Sequence, residues 1–320
     1  MHIKFIIIVH GEPFSTFSEI LGKYFSKIKR FKKKIIIIGN IELIRKQLRK
    51  LNYFLLLNEI TDINNAKQNV INIININFSF NNVFSKISPK SNLYIKNCFA
   101  KSLEIMRFYK KECILINGPV SKKTFLKKKY LGVTEYLSEK TKSKNEVMLI
   151  YNEKIAVTPI TTHIPLKYVA KQTTQKKIIN NILKINYFYK NILKRKTSFA
   201  VLGLNPHCET IDKHNEENKI IKPSIKLLRK KKINIEGPFP ADTFFLKKNI
   251  DKYDVVVGMY HDQVLTPIKT IFNFNAINLT IGLPFIRISP DHGPNSIMLG
   301  KNKSDPSSFM YAMKFIEKLK

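Results

Sequence analysis

Residues 255–263 read Val255-Val256-Val257-Gly258-Met259-Tyr260-His261-Asp262-Gln263, an apolar, largely β-branched run that ends abruptly in ionisable and amide side chains. A short apolar run of this kind reads as a buried strand, and the residues after it stand where that strand leaves its sheet. The same pattern recurs at 3–9, 34–38, 113–117, 146–151, 154–159, 198–203 and 277–280. Between these runs, helical spacing of apolar residues appears around 99–109, 174–193 and 220–228. Strands alternating with amphipathic helices predict an α/β fold. The turn Tyr151-Asn152-Glu153 separates two runs closely enough to predict a hairpin, so the sheet is expected to be mixed. Near the end of the chain, Asp305 suits a helix N-cap and Pro306 the first helical position. Phe309, Met313, Phe315, Ile316 and Leu319 then supply the apolar stripe. The segment 64–82 is biased towards Asn and Ile and is assigned no function. No linker rich in Pro, Gly or Ser divides the chain, so a two-domain boundary must be crossed by ordered structure.

With 320 residues, 44% of them hydrophobic, the chain can bury a large core in one big domain or two ordinary ones. No apolar run approaches the roughly 20 residues of a membrane-spanning helix. The apolar stretch Phe5-Ile6-Ile7-Ile8-Val9 runs into Gly11-Glu12-Pro13 without a small-residue cleavage site, and reads as a first strand rather than a signal peptide. Cys98, Cys113 and Cys208 show no paired or metal-type spacing, which suits a reducing compartment and an expected location in the cytoplasm. The net charge of +33 raises the possibility of a polyanion partner. Yet only seven of the basic residues are arginines, the type that reads phosphates and bases bidentately. The lysine clusters at 32–34, 127–129, 230–232 and 247–248 lack interleaved aromatic platforms. No specific nucleic-acid or membrane role is therefore expected. The charge should draw in anionic substrates weakly and in a salt-dependent way.

Four segments stand out from this background: Thr161-Thr162-His163-Ile164-Pro165-Leu166, Gly203-Leu204-Asn205-Pro206-His207, Met259-Tyr260-His261-Asp262-Gln263, and the stretch from Gly282 to Gly293. Three of the seven histidines thus follow expected strands, at the sheet edge where open α/β folds bind ligands. Neutral imidazoles from three loops, with Asp242 and Asp262 nearby, suit a divalent metal with positions left open for substrate. Taken singly, each could equally be an ordinary loop histidine. Lys269, Asn278 and Arg287 form a second group, read as lying in strand-end segments, that could grip a carboxylate or phosphate. Arg287 is the most informative of these, because arginine is scarce here and this one sits between Ile286 and Ile288. No GxGxxG follows the first strand, which argues against a standard Rossmann cofactor site.

Together these segments resemble the 4-hydroxythreonine-4-phosphate dehydrogenase family. The resemblance runs in order through Gly11-Glu12-Pro13, Asn117-Gly118-Pro119-Val120, Thr134-Glu135, Thr162-His163-Ile164-Pro165-Leu166 and Gly203-Leu204-Asn205-Pro206-His207. It continues through Gly237-Pro238-Phe239-Pro240-Ala241-Asp242-Thr243 and Tyr260-His261-Asp262-Gln263 to the segment from Asn278 to Gly293, covering nearly the whole chain. It implies a two-domain fold like that of isocitrate and isopropylmalate dehydrogenases, with mixed sheets, flanking helices and the active site in the interdomain cleft. The expected domains are 1–130 plus 285–320 on the cofactor side, and a central 131–284 on the metal, substrate and dimerisation side. It also implies NAD or NADP, and one divalent ion (zinc, magnesium or cobalt) per site, held by His163, His207 and His261 at the interface of a homodimer. Thr134, Lys269, Asn278 and Arg287 would contact a small phosphorylated hydroxy-amino acid. The segment Asp291-His292-Gly293 looks like a cofactor loop, with His292 and Gly293 as its contacts, and Asp242 and Asp262 are the candidates for proton transfer or for orienting a histidine.

Two departures stand out. The family usually has a substrate-touching histidine before the threonine of Thr134-Glu135, and here that position is Val133; Ser121 or Lys122 are candidate replacements. After Gly11-Glu12-Pro13 the family has a glycine-rich turn, where this chain has Phe14-Ser15-Thr16-Phe17-Ser18, which should alter backbone freedom and pocket shape. Two other readings remain: a paralogue acting on a phospho-threonate, which lacks the amino group, and a non-enzymatic basic binding protein.

Overall fold

A computed structural model of the chain describes residues 2–127, 129–144, 146–209, 215–273, 275–290 and 292–319. The elements begin β1 (Phe5–Val9), α1 (Phe17–Phe25), β2 (Lys34–Gly39), α2 (Ile41–Lys50), β3 (Leu57–Ile60), β4 (Ile71–Asn75), α3 (Asn92–Tyr109), β5 (Cys113–Asn117) and α4 (Val133–Thr141). They continue with β6 (Val147–Tyr151), β7 (Ala156–Thr161), α5 (Val169–Gln172), α6 (Gln175–Asn191), β8 (Ser198–Leu202), α7 (Lys222–Lys230) and β9 (Asn234–Phe239). The last are α8 (Ala241–Phe244), α9 (Lys247–Ile250), β10 (Val255–Tyr260), α10 (His261–Phe272), β11 (Ile277–Ile281), β12 (Ile286–Ser289) and α11 (Ser307–Lys318). The chain forms two compact units, Met1–Lys144 with Leu283–Lys320, and Asn145–Gly282.

In the first unit the strand order is β3-β4-β2-β1-β5-β12, and every pairing is parallel. Helices cover both faces of such a sheet, which is why β1 and β5 are buried along their whole length. Residues 131–144 belong to this unit rather than to the central segment. Their helix α4 buries Tyr136 and Leu137, with the Tyr136 ring 5.4 Å from Phe99 and 5.3 Å from Phe125. Strand order reverses between β1 and β5, so their carboxyl ends flank the switch point of the sheet. The backbone is pressed together there: Gly11 has φ +77, and a Cβ on it would lie 2.4 Å from the Pro119 carbonyl oxygen.

Four strands lie outside the runs read from sequence: β3, β4, β9 and β12. In β4 the reason is Asn72, fully buried in the middle of Ile71-Asn72-Ile73-Ile74. Its side chain donates to the carbonyls of Ile35, Lys67 and Val70 and accepts from Lys67 N, so no polar group is left uncompensated. At the chain's end the N-cap of α11 is Pro306, one residue later than the sequence reading placed it, and Asp305 stands before the cap, where its Oδ1 accepts from Ser307 N at 2.9 Å in an Asx-type turn.

Next to the switch point, His10 is wholly buried, with Nε2 2.9 Å from Ser18 Oγ. Burial holds its imidazole down at a pKa of about 4. The folded state therefore disfavours the charged ring, and the unfolded chain binds a proton first as pH falls below the ordinary value near 6.5. Stability contributed by neutral His10 is full at neutral pH and lost between pH about 6.5 and 4, about 3 kcal/mol in all. Neighbouring Glu12 acts in the opposite sense, because burial raises its carboxyl pKa. Denaturant unfolding at pH 7, 6, 5 and 4 should give a falling stability whose slope is reduced in His10→Gln; an identical slope in both proteins would contradict this assignment.

In the second unit the order is β11-β6-β7-β10-β8-β9. β6 runs antiparallel to both β7 and β11, with Ile150 opposite Val157 and Asn278, while β7, β10, β8 and β9 are mutually parallel. The hairpin and the mixed sheet thus follow the sequence reading. Val157, Ala200, Val256 and Val264 form part of the core beneath the helices. Among the described residues no helix is long and apolar enough to cross a membrane.

Candidate functional site

In the second unit β7, β10 and β8 are adjacent parallel strands, so their carboxyl ends share one edge with neighbours about 4.8 Å apart. His163 follows β7, His261 opens α10 directly after β10, and His207 lies in the turn after β8. Side-chain bonds set the spacing of these ends. Thr161 Oγ1 donates to Met259 O at 2.7 Å, tying β7 to β10. Gln263 accepts from Met259 N and donates to Gly203 O, both at 2.7 Å, tying β10 to β8.

The rings of His163 and His261 lie 5.7 Å apart between centroids. A metal–nitrogen bond of about 2.1 Å puts an imidazole centroid roughly 3 Å from the ion, so two rings at this separation can share one cation. His261 Nδ1 is 2.7 Å from Asp262 Oδ1. With the proton on Nδ1 donated to that carboxylate, Nε2 keeps its lone pair for a metal.

His207 is held differently. It has φ 55 and Cys208 has φ 60, two successive L-residues in the left-handed region, each costing about 1–2 kcal/mol. Glu217, fully buried in a π-helical turn, offsets this by accepting from Leu204 N at 2.7 Å, Asn205 N at 2.8 Å and Asn205 Nδ2 at 2.8 Å. Burial pushes the Glu217 carboxyl up, but the donors of Asn205 and Leu204 outweigh it and the pKa lies below the usual range. Gly203 is required by the same turn, because a Cβ there would lie 2.6 Å from Cys208 Sγ. The result is an imidazole 77% exposed, its Nδ1 4.0 Å from Asp242 Oδ2, too far for a hydrogen bond. Among the described residues of one chain, no group of three or more His, Cys, Asp and Glu side chains could hold a metal. The chain thus brings His163 and His261 together and keeps His207 with Asp242 as a separate pair. Neither Glu217 nor Gln263 carried a sequence signal for these positioning roles.

The second group divides between the units. In the first, Arg287 projects from β12 into the core, only 2% exposed. Its Nε donates to Asn117 Oδ1 and one terminal nitrogen donates to Thr134 Oγ1, both at 2.8 Å. Burial pulls its pKa down to about 10, opposed by the nearby Glu135 carboxylate. In the second unit, Asn278 lies on β11 with its Oδ1 buried and lacking a hydrogen-bond partner among the described residues. Lys269 sits in the last turn of α10 and not in a strand-end segment, because the Tyr260-His261-Asp262-Gln263 segment opens a helix of 12 residues.

His292 donates its backbone N–H to Pro290 O at 2.9 Å, and a Cβ on Gly293 would meet nothing within 4 Å. The chain's own packing therefore does not demand glycine there, and a ligand could approach the backbone. Asp291 lies outside the described residues. Val133 packs against the first unit's apolar core, and Ser121 Oγ accepts from Thr124 N at 3.2 Å. Phe14 is buried 5.7 Å from the Phe78 ring, so the altered first loop serves packing.

Residues 31–316 match the family model described as "Pyridoxal phosphate biosynthetic protein PdxA". A 4-hydroxythreonine-4-phosphate dehydrogenase from Sulfurihydrogenibium sp. (strain YO3AOP1) is 36% identical, over 98% of each chain. The crystal structure of 4-hydroxythreonine-4-phosphate dehydrogenase from Klebsiella pneumoniae superposes with a TM-score of 0.84 at 25% identity, covering 99% of this chain and 98% of that one. A β-decarboxylating dehydrogenase from Thermococcus kodakarensis is similar in fold alone, with a TM-score of 0.52 at 9% identity over 99% of this chain and 83% of that one.

Proposed function

The chain belongs to the pyridoxal phosphate biosynthetic protein PdxA family, whose curated relatives are 4-hydroxythreonine-4-phosphate dehydrogenases, and on that premise we propose that it oxidises 4-phosphooxy-L-threonine with NAD or NADP. The product is a β-keto acid that loses carbon dioxide to give 3-amino-2-oxopropyl phosphate, a step of vitamin B6 biosynthesis. The observation that carries this reading is the placement of His163, His261 and His207 at the ends of three adjacent parallel strands, two of them already at a separation suited to one ion. A divalent ion held by these histidines would supply a Lewis acid that lowers the pKa of the substrate hydroxyl. NAD or NADP, held along His292 and Gly293, would accept the hydride. Since one chain groups only two of the three imidazoles, we place the ion at the interface of a homodimer, with the third coming from the second copy.

The chain's own residues do the positioning. Asp262 fixes the tautomer of His261 through Nδ1, and Asp242 stands ready to do the same for His207. Arg287 with Thr134, and separately Lys269, would each serve as an anchor for an anionic group of the substrate. The Asn278 Oδ1, which has no hydrogen-bond partner among the described residues, is an acceptor suited to an ammonium proton. That favours an amino acid over a phospho-threonate. The three cysteines are buried and unpaired, in keeping with a location in the cytoplasm.

The test is NADH formation from 4-phosphooxy-L-threonine by metal-loaded enzyme, compared with a phospho-threonate. Turnover is expected to disappear on chelation and to return with a divalent ion. Activity that survives thorough chelation, or that prefers the threonate, would contradict the reading.

A further inference from the structure

We propose that Asn117 is a positioning residue that sets the plane of the Arg287 guanidinium, and through it the grip on the anionic substrate; this rests on Arg287 being a substrate anchor. Arg287 pairs with Leu115 across β12 and β5, so Asn117, two residues further along β5, projects from the same face. The amide is committed at both ends. Its Oδ1 accepts from Arg287 Nε at 2.8 Å, and its Nδ2 donates to Gly118 O at 3.0 Å. The second bond fixes which way the amide points, so an oxygen and not an NH2 faces the guanidinium. Asn117 is 4% exposed and stands at the end of β5 next to the sheet's switch point, where no solvent competes for either bond.

With Thr134 Oγ1 on a terminal nitrogen and the Glu135 carboxylate nearby, the guanidinium is fixed in both plane and charge. A planar fork recognises a phosphate or carboxylate only when its plane is set. An aspartate at 117 would still accept from Nε. It would also place a carboxylate oxygen against the Gly118 carbonyl and a negative charge on Arg287, cancelling part of the charge meant for the substrate. Alanine would leave the charge and release the plane.

The experiment compares wild type, Asn117→Ala, Asn117→Asp and Arg287→Lys, each checked by thermal melting. It reads KM for 4-phosphooxy-L-threonine, KM for NAD, kcat, and competitive inhibition by inorganic phosphate. Substrate KM is expected to rise about tenfold in Asn117→Ala and more in Asn117→Asp, the size of one charge-assisted hydrogen bond. KM for NAD should stay within about twofold, and the phosphate inhibition constant should rise in step with substrate KM. Asn117→Asp should melt closer to wild type than Asn117→Ala while binding substrate less well, an inversion that a merely structural residue would not give. If Arg287→Lys raises substrate KM but neither Asn117 variant does, the inference is overturned. If Arg287→Lys leaves it unchanged too, the substrate-anchor reading falls with it.

Discussion

Replacing His207 with alanine is expected to abolish metal binding and metal-dependent turnover together, while leaving the fold intact. The imidazole is 77% exposed and has no hydrogen bond to Asp242, so its removal deletes little internal contact. The turn that presents it is held by the Glu217 carboxylate on Leu204 and Asn205, and by the Gln263 bond to Gly203, none of which involves the histidine side chain. Alanine tolerates the left-handed backbone only somewhat less well than histidine, so melting should change by no more than a few degrees. The chemistry has no such reserve. A Lewis acid contributes several kcal/mol at the transition state, and each 1.4 kcal/mol is tenfold, so kcat/KM should fall by about a thousandfold or more. Metal content after dialysis and metal titration calorimetry, read beside NADH formation, test both halves. Full activity in this variant would remove His207 from the ligand set.

The sequence made the sheet legible where strands are uninterrupted β-branched runs, as in β1, β5 and β10. It hid β4, because the strand is interrupted by an asparagine whose network of five hydrogen bonds is visible only once Asn58, Ile35 and the 67–70 turn surround it. The histidines were readable as strand-end residues from their place after apolar runs. Their grouping was not, since it depends on the backbone of each loop, such as the left-handed turn at 207–208, which no local pattern announces. Lys269 was read in a strand-end setting, and the structure places it in the last turn of the helix that begins at His261. Gln263 and Asn117 lay in segments that stood out and Glu217 did not, but the positioning roles of all three escaped notice for one physical reason. Each acts through a polar contact with a different element, 170 residues away for Asn117, and no local pattern marks such a contact.

Arg287→Lys is expected to lower kcat/KM for the phosphorylated substrate by about a hundredfold and to introduce a pH dependence that the wild type lacks. The first effect is geometric. Lysine cannot satisfy Asn117 Oδ1 and Thr134 Oγ1 while also presenting a planar fork, so charge-assisted bonds worth about 1.5–3 kcal/mol are lost or misdirected. The second is electrostatic. Burial brings the arginine down to about 10, still charged throughout the working range. A lysine starts near 10.4, and the same desolvation would bring it to roughly 8. It would be charged below that pH and neutral above, so substrate KM should climb as pH rises from 7 to 9 in the variant and stay flat in the wild type. Arg287→Met removes the charge altogether and leaves Glu135 without it, which should destabilise the protein by about 3 kcal/mol in denaturant unfolding. A flat pH profile in Arg287→Lys with wild-type substrate KM would mean that the guanidinium serves the core and not the substrate.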